Sequence, residues 1–128
     1  MIVLAALLLA AQPAGAKPNA EWLSGLWVEQ KEAGVRDLAG CASWDALFYR
    51  ADRTFGRGER EGFWLLRGNK VYQFDRLPDE AAEAEVLASA TDSAVVVRLG
   101  PDRMRKLLPG GKSVTFLRCP KPETPVAL

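Results

Sequence analysis

From Leu23 onward, apolar residues arrive in short runs, and turn-forming residues cut each run off about every eight to twelve positions. The stops include Ala51-Asp52-Arg53, Gly68-Asn69, Thr91-Asp92-Ser93, Gly100-Pro101-Asp102 and Pro109-Gly110-Gly111. This rhythm predicts an antiparallel meander rather than helices alternating with parallel strands. Strands are expected over 23–30, 44–50, 54–57, 63–67, 71–75, 94–99, 103–108 and 113–119. A further strand is expected over 84–90, where Ala84, Val86, Ala88 and Ala90 alternate with Glu85, Leu87 and Ser89. Pro78 to Glu83, with proline first and acids beside it, allows one short helical turn. Gly68-Asn69 is a two-residue hairpin signal, because both residues tolerate positive φ. A sheet of this size usually closes on itself, because closure removes exposed edges. The expected fold is therefore all-β, an eight-stranded antiparallel meander barrel with at most one short helical turn.

Composition narrows the chemistry. The 128 residues hold 17 basic and 16 acidic side chains, a balance unlike that of a general nucleic-acid binder. There is no histidine, so the commonest general base and metal ligand is missing, and no Ser-His-Asp triad can form. Two cysteines cannot build a four-thiolate zinc site. No phosphate-cradling loop or dinucleotide fingerprint is present, and Gly56-Arg57-Gly58 reads as a bend or bulge. The chain reads as a non-enzyme without a cofactor or metal.

The beginning of the chain reads as a targeting segment. Ile2 to Ala11 is wholly apolar, Gln12 and Pro13 break the run, and Ala14-Gly15-Ala16 gives a small-x-small cleavage pattern. Residues 1–16 are expected to be a signal peptide, cut between Ala16 and Lys17, and residues 17–128 a single barrel domain. The apolar run is too short for a transmembrane anchor. Leu38-Ala39-Gly40-Cys41 matches a lipobox, but it follows charged residues rather than an apolar run. The expected location is the periplasm or outside the cell. There, Cys41 and Cys119 are most simply one disulfide, which closes a loop long enough to stabilise by about 4 kcal/mol on chain-entropy grounds.

Gly25-Leu26-Trp27 lies on the first expected strand and Arg118 on the last. In this the chain resembles the lipocalin-like, or calycin-type, barrels among small secreted bacterial proteins. A bacterial metalloprotease-inhibitor barrel shares the broad architecture. The resemblance implies that Gly25, Trp27 and Arg118 are structural, with the Arg118 guanidinium packed across the Trp27 ring where the barrel closes.

Two further sets could carry function. Aromatic residues are abundant, and Trp44, Phe48, Trp64 and Tyr72 are the candidate walls of a ligand pocket. The same rings could simply fill a small barrel. Arg50, Arg53, Arg57, Arg60 and Arg67 could capture an anion, although Asp52, Glu59 and Glu61 interleave them, and a salt-bridged strand edge is the simpler reading. The acids Asp79, Glu80, Glu83 and Glu85 lack the loop spacing of a calcium site and read as a solvated segment. Two functions remain. One is a barrel that binds a small apolar or amphipathic ligand. The other is a protein-interaction module, such as an inhibitor of an envelope or secreted hydrolase, acting through a loop or the arm from Lys17 to Trp22.

Overall fold

Eight antiparallel strands follow one another around a closed barrel in a computed structural model that describes residues 16–77 and 82–121. They are β1 (Gly25–Glu29), β2 (Leu47–Tyr49), β3 (Thr54–Arg57), β4 (Arg60–Arg67), β5 (Lys70–Phe74), β6 (Asp92–Gly100), β7 (Arg103–Leu107) and β8 (Ser113–Arg118). Each strand pairs with the next, and β8 returns to β1 with Trp27 opposite Arg118 and Val28 opposite Leu117. This is the expected meander barrel. Gly68-Asn69 makes the predicted two-residue turn between Arg67 and Lys70, with Gly68 at φ +63°.

Among the described residues, helical content is two short helices, α1 (Ala20–Leu23) and α2 (Glu83–Ala88), with a 3-10 turn at Ala39–Ala42. Leu23, expected on the first strand, instead ends α1, which Asn19 caps by accepting a hydrogen bond from the Trp22 amide at 2.8 Å. The strand expected over 84–90 is a correction: this segment forms α2. Its alternation rests mostly on alanine, which commits neither face, and Glu, Ala and Leu are strong helix formers. Glu83 opens α2 and pairs with Arg67 at 2.6 Å. The strand expected over 44–50 shrinks to Leu47–Tyr49, because Trp44 and Asp45 lie in a turn where Ser43 Oγ accepts from the Asp45 amide. The helical turn expected over Pro78 to Glu83 falls largely outside the described residues, as does nearly all of the expected signal peptide.

Inward residues of all the strands meet in one core that includes Leu23, Trp27, Tyr49, Phe55, Trp64, Val96, Met104 and Phe116. A second, smaller cluster lies outside the β1–β8 pair. There Val28 and Leu117 are covered by the loop that carries Leu38 and Cys41. Gly40 lets that loop approach, since a Cβ there would sit 2.5 Å from Val28 Cγ2. The Cys41–Cys119 disulfide holds the loop in place across 78 positions. Among the described residues no helix is long and apolar enough to cross a membrane.

Candidate functional site

One end of the barrel is sealed. α1 lies there, and its Trp22 and Leu23 are buried. The Trp22 and Trp27 rings meet edge-on, 5.3 Å between centroids. Trp27 Nε1 donates to the Leu23 carbonyl at 2.9 Å, and Trp22 Nε1 to the Pro101 carbonyl at 3.0 Å. Arg118 places its guanidinium carbon 4.3 Å from the Trp27 ring centre and donates to the carbonyls of Ser24 (3.0 Å), Trp22 and Pro101. Asp102 pairs with it at 3.3 Å. Gly25 has φ +138°, and a Cβ there would lie 2.7 Å from Arg118 Nη1, so both backbone geometry and space demand glycine. Gly25, Trp27 and Arg118 thus form one interlocked plug.

The opposite end holds a cavity of about 360 Å³. Leu47, Phe55, Val71, Val114 and Phe116 supply apolar wall, while Lys106, Gln73, Arg57, Arg60 and Asp92 supply polar groups. Strand alternation determines which side chains reach it. On β7, Met104 and Lys106 are buried while Arg103, Arg105 and Leu107 are exposed. On β5, Val71 and Gln73 point inward and Tyr72 outward.

Lys106 is only 7% exposed. Its Nζ donates to Tyr49 Oη at 2.5 Å and to Gln73 Oε1 at 3.3 Å. Tyr49 Oη in turn donates to Gln73 Oε1 at 2.5 Å. The ammonium nitrogen also lies 5.1 Å from the Tyr49 ring centre and 5.5 Å from that of Phe116. Among the described residues, no carboxylate is within ion-pair distance of it. Burial lowers its pKa to about 7; Arg57 and Arg60 push the same way, against the attraction of Asp92. Burial, with Asp92 adding to it, raises the Tyr49 pKa, so this phenol stays neutral at physiological pH.

The other cations of the cavity have partners. Arg57 pairs with Glu29 at 3.1 Å. Arg60 pairs with Asp75 at 3.3 Å and Asp92 at 2.6 Å. Arg60 Nη2, however, is buried without a hydrogen-bond partner, the one such side-chain nitrogen or oxygen among the described residues. No group of His, Cys, Asp and Glu side chains among them is arranged to hold a metal ion.

None of the four aromatic residues expected to form a pocket lines this cavity. Trp44 is 71% exposed. Phe48 packs outside, over Gly56 and under Arg50. Tyr72 is outside too, beneath Lys70. Trp64 is fully buried in the core, where its ring meets Tyr49 edge-on and its Nε1 donates to the Arg50 carbonyl. It supports the polar cluster from behind. The cavity rings are Phe55 and Phe116. Lys106, Gln73 and Tyr49 went unrecognised, although β7 carried the signal. Arg103 and Arg105 share one face and cannot both enter a small barrel, so Met104 faces inward and Lys106 with it.

The fold and site together define a closed barrel, plugged at one end and holding a cavity of mixed polarity at the other. Compared with known protein families, curated proteins and solved structures, the chain finds no match.

Proposed function

We propose that this protein is a non-enzymatic binding barrel for a small amphipathic molecule in the periplasm or outside the cell. The ligand lies in the open-end cavity, with its apolar part on Phe55, Phe116 and the aliphatic wall and its polar end at Lys106 and Gln73, which Tyr49 backs. The single observation carrying this reading is the cavity of about 360 Å³, apolar-walled yet with a buried lysine cluster. Small-molecule sites commonly have such a volume and this mixture of apolar wall and few polar groups. The disulfide supports an oxidising compartment. Of the two routes for the rival partner-docking reading, a loop or the amino-terminal arm, the arm is less favoured, because Trp22 is 7% exposed and part of the plug.

The test is native mass spectrometry of the exported protein, purified without reductant, beside a titration with an apolar fluorescent probe. A small added mass that is lost on denaturation, or saturable probe binding that the added compound displaces, is expected. A bare native mass together with no probe binding would overturn the reading and leave the barrel as a scaffold for protein contacts.

A further inference from the structure

Lys106 is unusual among the cations of this chain. It is buried beside empty volume, and its hydrogen bonds go to a phenol and an amide rather than to a carboxylate. An ammonium held this way is poorly compensated, since neutral acceptors replace only part of its hydration. On the same cavity, Arg60 keeps a buried Nη2 with no acceptor. Among the described residues, Lys106 thus lacks an anionic partner next to space that can receive one, whereas Arg60 is already paired with Asp75 and Asp92. The remaining charged groups around Lys106 are Arg57 on β3, already paired with Glu29, and Asp92 on β6, already paired with Arg60. Tyr49 on β2 and Gln73 on β5 face it as neutral groups.

We infer that the ligand is a small organic acid, a monocarboxylate with an apolar body, whose carboxylate pairs with Lys106 Nζ. This rests on the binding reading above and names its ligand class. A monoanion fits better than a dianion, because Asp92 stands at the same cavity and repels added negative charge. A charge-assisted pair in a site shielded from water is stronger than a neutral hydrogen bond. Binding also carries a proton. The empty site holds Lys106 partly deprotonated near neutral pH, with Arg57 and Arg60 favouring the neutral amine and Asp92 opposing them. The carboxylate requires the ammonium form, so it draws a proton from solvent as it binds.

The test compares octanoate with 1-octanol, which has the same chain length and no charge, by calorimetric titration of the disulfide-bonded protein between pH 6 and 9. Octanoate is expected to bind about tenfold or more tightly than octanol at pH 6.5. Its affinity should fall by up to about tenfold per pH unit above pH 7. Binding enthalpy at pH 8 should differ between phosphate and Tris buffers by the amount that proton uptake requires. Lys106→Met and Lys106→Gln should lose the preference for octanoate and still bind octanol; the wild-type pH series requires no variant to fold. Equal affinities for the two compounds, or an octanoate affinity flat across pH, would overturn the anion inference and leave the amphipathic reading standing. Failure of both to bind would remove both.

Discussion

The two ends of this barrel each hold a cation beside aromatic rings, half-buried at one and buried at the other, and they treat it in opposite ways. At the sealed end, Arg118 lies flat on Trp27 and gives its hydrogen bonds to fixed backbone carbonyls, with Asp102 beside it. At the open end, Lys106 touches a phenol and an amide, has no carboxylate beside it, and faces about 360 Å³ of space. The first arrangement is complete by itself. The second uses two of the three ammonium donors on neutral acceptors and leaves one beside open space, which is the physical difference on which the proposed binding reading rests.

Substitutions should separate the ends. The largest effect is expected at the plug. Trp27→Ala removes a fully buried indole and the surface on which Arg118 lies, and should cost about 3–5 kcal/mol in denaturant unfolding. Octanol binding by the fraction still folded should remain.

Lys106→Met should act in the opposite direction, gaining on the order of 2–3 kcal/mol at pH 6 by removing a buried charge while keeping apolar bulk. The pH dependence gives this prediction a sign. The native amine releases its proton near pH 7, whereas the unfolded chain holds it until about pH 10.4. The unfolded state therefore binds more protons through that window, and wild-type stability should rise with pH by up to about 1.4 kcal/mol per unit between pH 7 and 9. In the Met variant that slope should vanish. Unfolding curves at three pH values decide it, and parallel curves for the two proteins would mean that Lys106 is not held as described.

Gly25→Ala should cost about 1–3 kcal/mol, since it forces a side chain into positive φ and against Arg118. Trp44→Ala, at the rim and 71% exposed, should change stability by under about 0.5 kcal/mol. Measured beside each other by thermal unfolding, these two variants test whether aromatic and glycine positions outside the open cavity divide into plug and surface as the contacts indicate.

The sealed end was far more legible in the sequence than the open one. Turn residues marked the meander, because Gly, Pro, Asn and Asp interrupt strands for local steric reasons. Two cysteines in a chain read as exported left one simple pairing, and Cys41 and Cys119 are joined. Gly25, Trp27 and Arg118 stood out through the resemblance to lipocalin-like barrels, and they meet at the plug. The cavity was harder to read for want of strand phase. A slip of one residue moves every side chain to the other face. On β2 and β5 the large rings of Phe48 and Tyr72 drew attention to the outer face, while Leu47, Tyr49, Val71 and Gln73 point inward. Between β5 and β6, alanine-rich alternation mimicked a strand where α2 forms. Lys106 is hidden by type, since lysine is rarely placed inside a barrel unless its strand phase is argued first.

The disulfide also bears on how the cavity exchanges its contents. A closed meander has one seam that joins its first and last strands, here β1 and β8. Parting that seam is the sideways route by which a barrel could breathe open. Cys41 and Cys119 fasten the loop leaving β1 to the residue that follows β8, and Cys119 is further bonded through its amide to the Leu26 carbonyl at 2.7 Å. With the seam clasped and the far end plugged, the mouth, flanked by the ion pairs of Arg57 and Arg60, is the way in for any molecule that the proposed binding reading requires.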